Sequence, residues 1–504
     1  MSVTDRPLAA TAAGTVRGLS EDGLAVFRGI PFAGPPVGPA RFLAPRPVDR
    51  WDGVREATAF GPPPPQEAMT PGTPPAPGRA AGGGDDWLTV NVWTPAPDPA
   101  ARRPVLVWIY GGAYKFGSSA EPGYDGGRLA RDGGLVVVSF NYRVGMEGFA
   151  RIQGAPANRG LLDQVAALRW VQENIAAFGG DPDEVTVFGE SAGAGSIAAL
   201  LAMPRAKGLF RRAIAQSVPG TYFSDALAAD IATALAREAG VRPTAADLSR
   251  VDPYELPEAV AALDMGRHTG RWGTVAHTPT PYSPVVDGDV LPVAPWQALA
   301  DGAARDVELI AGHTRNEYRL FIALDGDLGQ IDDVRAATAL RVFGPGPDPV
   351  RSYRAAFPGA SAERLYELVH SDWLFRMPTL RLAEAHTAGG GRAHVYELTW
   401  PAPAFDGCLG ACHALDLPLT FGTLDGNELL GPTPPAEAEK LSAHIRAAWT
   451  AFAATGDPGW PGYDTARRLT HVLDVEPVVA AYPEEASRRL WEGHVFGTLP
   501  LTAG

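Results

Sequence analysis

Residues 185–202, VTVFGESAGAGSIAALLA, constrain the fold more than any other part of the chain. A short β-branched run reads as a strand (185–188) and the Ala-rich run reads as a helix (Ala192–Ala202), with only Gly-Glu-Ser around the junction. A turn that abrupt needs backbone angles and close approaches that a Cβ would block, hence glycine on both sides of Ser191. The serine is pushed out above the sheet edge, and the helix behind it points free N–H groups toward the same place. In a chain with 58 glycines a G-x-S-x-G match is weak alone, and a Gly-Ser turn that merely caps a helix is the competing reading. The flanking strand and helix favour a nucleophile elbow.

The neighbouring segments repeat that architecture. The runs 105–110 (VLVWIY) and 135–140 (LVVVSF) are short and β-branched, as strands buried on both faces are. Leu161, Val165, Leu168, Val171, Ile175 and Phe178 recur at three- and four-residue steps, which predicts an amphipathic helix over 161–178 stopped by Gly179-Gly180-Asp181-Pro182. Another strand is expected at 213–216. Strand, helix, strand in this order predicts the α/β class, a mostly parallel central sheet flanked by helices. Beyond it, a helix over Asp225–Glu238 capped by Ser224, strands at 307–311 and Ala393–Leu398, and a long helix at 436–454 are expected. No linker or repeat divides the 504 residues, so a single domain over 1–504 is expected, with insertions at about 220–305 and 320–390. The stretch 61–84 holds 8 Pro, 6 Gly and no aromatic residue, which predicts a mobile surface loop.

Composition excludes several functions. Hydrophobic residues are 45% and charged residues 20%, so the chain is not disordered. Lys and Arg number 43 against 57 Asp and Glu, and a net charge of −14 repels nucleic acid and anionic membrane surfaces. The apolar runs fall far short of the roughly 18 residues of a membrane helix. The start, MSVTDRP, lacks the basic and apolar regions of a secretory leader, and Cys408 and Cys412 are the only cysteines. A cytoplasmic location without a structural disulfide is therefore expected.

A serine hydroxyl is a weak nucleophile at neutral pH, so the site needs a base, a group to hold that base, and donors for the developing oxyanion. Tyr110-Gly111-Gly112-Ala113 follows the strand at 105–110, and its glycines allow backbone N–H groups to face a substrate oxygen. With the N–H of Ala192, Gly111 and Gly112 make a three-donor hole; an ordinary strand-ending turn is the alternative. Cys408-x-x-x-Cys412-His413 lacks both the usual zinc spacing and a second cluster, so no metal is expected, and Cys412 reads as a small packed residue. No Lys is followed by Ser or Thr, so a phosphate-binding loop of the Walker type is absent. No cofactor is expected.

Longer motifs carry a resemblance. Phe27-Arg28-Gly29-Ile30-Pro31-Phe32-Ala33 with Pro35-Pro36-Val37-Gly38, Asn91-Val92-Trp93-Thr94-Pro95, Trp108-Ile109-Tyr110-Gly111-Gly112-Ala113, and the whole of 158–193 resemble the type-B carboxylesterases. That family includes bacterial para-nitrobenzyl esterases, mammalian liver carboxylesterases and cholinesterases. The resemblance implies the α/β-hydrolase fold and a catalytic triad in the chain order Ser, Glu, His, the order the fold itself requires. It places the nucleophile at Ser191. The acid falls at Glu317, within Gly312-His313-Thr314-Arg315-Asn316-Glu317, and the base at His413, ahead of Asp416-Leu417-Pro418. Seven histidines follow Glu317 and spacing does not choose among them, so His413 rests on the resemblance. Ser217 matches the family's QSGS segment, as a partner of the triad or simply the end of a strand.

The departures matter as well. Pro64 and Trp87 stand where the family usually closes a disulfide, and residues 61–86 hold no aromatic to take up a quaternary ammonium. Val218-Pro219 replaces Gly-Ser, and Glu147 puts a charge in the NYRxGxxGF segment. The resemblance thus implies a serine hydrolase of small neutral carboxylic esters, acting through an acyl-enzyme as a monomer or small homo-oligomer. A carbamate or activated-amide hydrolase with the same triad is the alternative, and a non-catalytic binding module of the same fold is a second, opposed by the intact Ser191, Glu317 and His413.

Overall fold

The computed structural model describes residues 6–66 and 84–502; of the Pro- and Gly-rich stretch expected to form a mobile loop, 67–83 lie outside the described residues. The chain divides into two compact units, one of Met1–Arg212, Thr221–Ala294 and Thr498–Gly504, the other of Ala213–Gly220 and Pro295–Gly497.

In the first unit the strands lie in the order Gly180–Glu190, Arg103–Ile109, Val136–Phe140, Thr89–Thr94, Leu24–Pro31, Leu19–Glu21. Arg103–Ile109 pairs parallel with both neighbours, Val105 opposite Val136 on one side and Val185 on the other. From Val105 to Ile109 and from Val136 to Phe140 every side chain is buried, which is why these runs read as continuously apolar rather than alternating. Thr89–Thr94, Leu24–Pro31 and Leu19–Glu21 extend the sheet antiparallel.

Two expectations change in detail. The strand expected at 185–188 runs from Gly180 to Glu190, because Asp181 and Pro182 do not break it. Arg103 pairs with Gly180, and the Arg102 guanidinium holds the Asp181 carboxylate at 2.7 and 3.1 Å. The helix expected over 161–178 is α-helical from Arg159 to Asn174 and 3₁₀ from Ile175 to Phe178, and it buries much of its polar side as well. There Asp163 accepts from the Arg143 Nε and Nη2 at 2.8 and 2.7 Å, and Gln164 donates to Ser196 at 3.0 Å. Periodicity equates polar with solvated; here polar groups are buried because each finds partners.

The second unit carries the strands Val478–Ala481, Leu469–Leu473, Ala393–Leu398, Glu308–Thr314 and Arg212–Gln216 in that order. The first two pair antiparallel, and Ala393–Leu398 is parallel to both its neighbours. Between Glu308–Thr314 and Ala393–Leu398 the chain is helical, including Asp333–Phe343, Ala362–Ser371 and Met377–Ala388. The long helix expected at 436–454 is Ala436–Thr455, and in the first unit Asp225–Glu238 is capped as expected, with the Leu227 N–H donating to Ser224 Oγ at 3.2 Å. Among the described residues no helix is long and apolar enough to cross a membrane.

Candidate active site

Ser191 stands between the strand Gly180–Glu190 and the helix Ala192–Ala202, at φ 56°, ψ −126°. That conformation is costly for a residue with a Cβ and persists only where the surroundings over-determine it. The packing at Gly193 does so: a Cβ there would lie 2.0 Å from the Ile109 carbonyl oxygen, so only glycine lets the helix approach the neighbouring strand this closely. As the first helical residue, Ala192 carries an N–H with no intrahelical acceptor.

The turn after Arg103–Ile109 packs against this elbow. A Cβ on Gly111 would come within 3.0 Å of the Ser191 Cβ, and Gly112 sits at φ 105°. The N–H groups of Lys115 and Phe116 donate to the Gly112 carbonyl at 2.9 and 3.1 Å. Ala113 and Tyr114 follow at φ 54° and 59°, and their carbonyls are held by the Thr280 hydroxyl (2.8 Å) and the Gly145 N–H (2.6 Å). Below the turn, Tyr142 OH donates to the Tyr110 carbonyl at 2.6 Å and the two rings stack 4.4 Å apart. Gly111, Gly112, Ser191 and Ala192 therefore form one pre-set backbone cluster in the first unit.

Glu317, His413 and Ser217 form a second cluster, in the second unit. Glu317 is fully buried, and its Oε1 accepts from the Thr314 N–H at 2.8 Å and from the Ser217 hydroxyl at 2.6 Å. Its Oε2 accepts from His413 Nδ1 at 2.6 Å. A proton on Nδ1 leaves Nε2 as the basic nitrogen. Burial pushes the Glu317 carboxyl up, but His413 and the Ser217 hydroxyl outweigh it, and the group stays ionised below its ordinary range.

Backbone bonds tie the two loops of this cluster together. The Asn316 N–H donates to the Ala411 carbonyl at 2.8 Å, and that of His413 to the Glu317 carbonyl at 3.3 Å. The imidazole stacks on Phe375 at 4.2 Å, with Phe321 at 5.3 Å. Phe375 lies in a π-helical turn, Asp372–Arg376, a local irregularity that re-aims side chains. Cys412 is buried and its thiol is pushed up to about 12, as suits a small packed residue rather than a thiolate ligand.

One support was missed in the sequence. Asp416, buried just beyond His413, accepts from Gln216 Nε2 (2.8 Å) and Tyr396 OH (2.9 Å), while Trp449 Nε1 donates to Gln216 Oε1 at 3.2 Å. At the place of the family's disulfide, Trp87 is buried and donates to Tyr254 OH at 3.2 Å.

Comparison with known proteins defines the class. The chain matches the sequence profile of the Carboxylesterase family over residues 5–341 and 351–480. It is 38% identical to the para-nitrobenzyl esterase of Bacillus subtilis over 95% of this chain and 97% of that one, and 33% identical to human carboxylesterase 3 over 94% and 86%. Among solved structures it is similar to a Geobacillus stearothermophilus carboxylesterase, with a TM-score of 0.84 at 37% identity, covering 96% of this chain and all of that one. The chain belongs to the carboxylesterase family. It has the α/β-hydrolase fold of these relatives and is an ester hydrolase.

Proposed function

We propose that Ser191 is the nucleophile, His413 its general base, and Glu317 the carboxylate that orients the base, in hydrolysis of small neutral carboxylic esters. The observation that carries this reading is the buried Glu317–His413 hydrogen bond, which puts a proton on Nδ1 and makes Nε2 the basic nitrogen of the ring. In the first half-reaction the Ser191 oxygen bonds to the ester carbonyl carbon as its proton passes to His413 Nε2. The carbonyl oxygen becomes an oxyanion that takes hydrogen bonds from the N–H groups of Gly111, Gly112 and Ala192. Collapse breaks the bond to the alcohol, which leaves with the proton from His413. Water then repeats the sequence on the acyl-enzyme, releasing the acid and restoring the serine.

Ser217 acts through Glu317 and is a positioning residue. Neutral esters are favoured because residues 61–86 offer no aromatic face to a quaternary ammonium. The whole chain is read as one catalytic domain needing no cofactor, a cytoplasmic monomer or small homo-oligomer without nucleic-acid or membrane partners. The test is Ser191→Ala with short-chain nitrophenyl esters, together with mapping of a fluorophosphonate adduct. Turnover is expected to vanish with the fold intact and the adduct to sit on Ser191. Retained turnover, or an adduct elsewhere, refutes the assignment.

A further inference from the structure

Arg376 is fully buried, at the end of the π-helical turn Asp372–Arg376. The Met377 N–H closes this turn by donating five residues back, to the Asp372 carbonyl. Such turns are rare and concentrate at functional sites. Arg376 Nη1 donates to the Asp372 carboxylate, and Nη2 donates to the backbone carbonyl of Arg315 at 2.6 Å. Arg315 stands two residues before Glu317, in the loop that delivers the carboxylate assigned above to the base.

Asp372 is itself fixed. Its Oδ2 accepts from Tyr353 OH at 2.8 Å, and that hydroxyl accepts from Trp491 Nε1 at 2.8 Å. All four side chains are buried. A guanidinium balanced and braced in this way cannot turn aside without stranding a charge, so the donor it offers Arg315 is stationary and charge-assisted. Buried ion pairs add little stability over packed apolar residues of similar volume. What Asp372 and Arg376 hold in place is the better account of them.

The same helical stretch meets both partners of the Glu317–His413 bond. On the far side of Glu317, the Tyr318 N–H donates to Ser371 Oγ at 3.0 Å, so the acid is bracketed by Arg376 at residue 315 and Ser371 at residue 318. Phe375, the residue before Arg376, stacks on the His413 imidazole at 4.2 Å. A shift of this turn therefore moves the acid loop against the ring, and the contact at stake is 2.6 Å long.

We propose that Arg376 is a positioning residue for ester hydrolysis. It acts through the Arg315 carbonyl on Glu317 and through Phe375 on His413, and it holds the two in the orientation that proton transfer needs. The inference rests on the assignment of Glu317 and His413 to the triad.

The test is steady-state hydrolysis of nitrophenyl acetate, expressed per active site, with sites counted by saturating fluorophosphonate labelling so that misfolded protein does not enter the rate. Asp372→Asn/Arg376→Gln removes both charges together; the asparagine still accepts from Tyr353 OH, and the glutamine is too short to reach Arg315. Its kcat per site should fall about 10- to 100-fold with KM little changed, since a fully buried residue does not touch substrate. Asp372→Asn/Arg376→Met, which leaves no polar group at 376, should behave alike. Arg376→Lys keeps a cation beside Asp372 and a donor for the carbonyl, and should recover most of kcat. A wild-type kcat per site in both double variants, with only the melting temperature or the labelled fraction reduced, overturns the proposal and makes Arg376 a packing residue. A loss carried by KM, or one that Arg376→Lys does not relieve, overturns it too. Turnover by Ser191→Ala, or a label away from Ser191, would instead refute the triad assignment.

Discussion

His413 Nδ1 lies 2.6 Å from a Glu317 carboxylate oxygen that is shut off from solvent. The other oxygen of the same carboxylate is occupied by two donors, the Thr314 N–H and the Ser217 hydroxyl. The carboxylate is thus an acceptor on every side, and its charge stands next to the ring that becomes cationic if His413 is the base proposed above.

That arrangement predicts the result of Glu317→Gln. The amide oxygen has to face Thr314 and Ser217, so the NH₂ group faces His413. Nδ1 then becomes an acceptor, and the proton moves to Nε2, where the base is needed. The buried anion that stabilises the imidazolium is also gone. We expect kcat to fall by about 10³–10⁴ with KM little changed, in steady-state assays on a nitrophenyl ester. A loss smaller than tenfold would show that His413 is not the base.

Ser217→Ala removes one donor from Glu317 Oε1, while the Thr314 N–H remains. Hydrogen bonds to the ionised form keep the Glu317 carboxyl low, so the variant raises it. A carboxyl held below its unfolded value stabilises the fold above that value and loses its contribution as pH falls through the folded one. The variant should therefore be less stable near neutrality by about 1–2 kcal/mol and lose its fold at a higher pH on acidification. Its kcat should drop about tenfold, because the imidazole is less firmly oriented. An acid-unfolding midpoint identical to that of the wild type would reduce Ser217 to a strand-ending residue.

Sequence reading succeeded where one local rule decided the structure. The helix Ala192–Ala202, the Ser224 cap and the strand Ala393–Leu398 each follow from adjacent residues, and each lies where it was expected. It failed where partners are distant in the chain. Gln216 and Asp416 hydrogen-bond across 200 positions, and neither residue announces this in its own neighbourhood. The buried polar side of Arg159–Asn174 was misread for the same reason, since Arg143 lies outside the helix whose Asp163 it neutralises. The hairpin Leu469–Leu473 and Val478–Ala481 is short and its second strand mostly exposed, so it carries little apolar signal. His413 needed the family motif, because its distinguishing feature, a bond to Glu317, exists only after folding.

His313, at the end of the strand Glu308–Thr314, offers a test of the acid loop by pH alone. Its Nδ1 donates to the Thr314 carbonyl and its Nε2 accepts from Tyr482 OH, both at 3.0 Å, which is the pattern of a neutral ring. Burial, with the Arg376 charge adding to it, lowers its pKa to about 4, against the smaller opposing pull of Glu317 and Glu484. An unfolded histidine takes up its proton near 6.5, so between that value and about 4 the unfolded chain binds a proton that the folded protein refuses. Stability must therefore decline as pH falls through this window. From about pH 7 to about pH 5 the decline due to this ring is about 2 kcal/mol. In His313→Gln, which is neutral throughout, urea unfolding followed by tryptophan fluorescence should show a correspondingly smaller loss over the same interval. Equal losses in the two proteins would mean that His313 takes up its proton as readily in the folded state as in the unfolded one, and that burial does not hold the ring neutral beside the Glu317 loop.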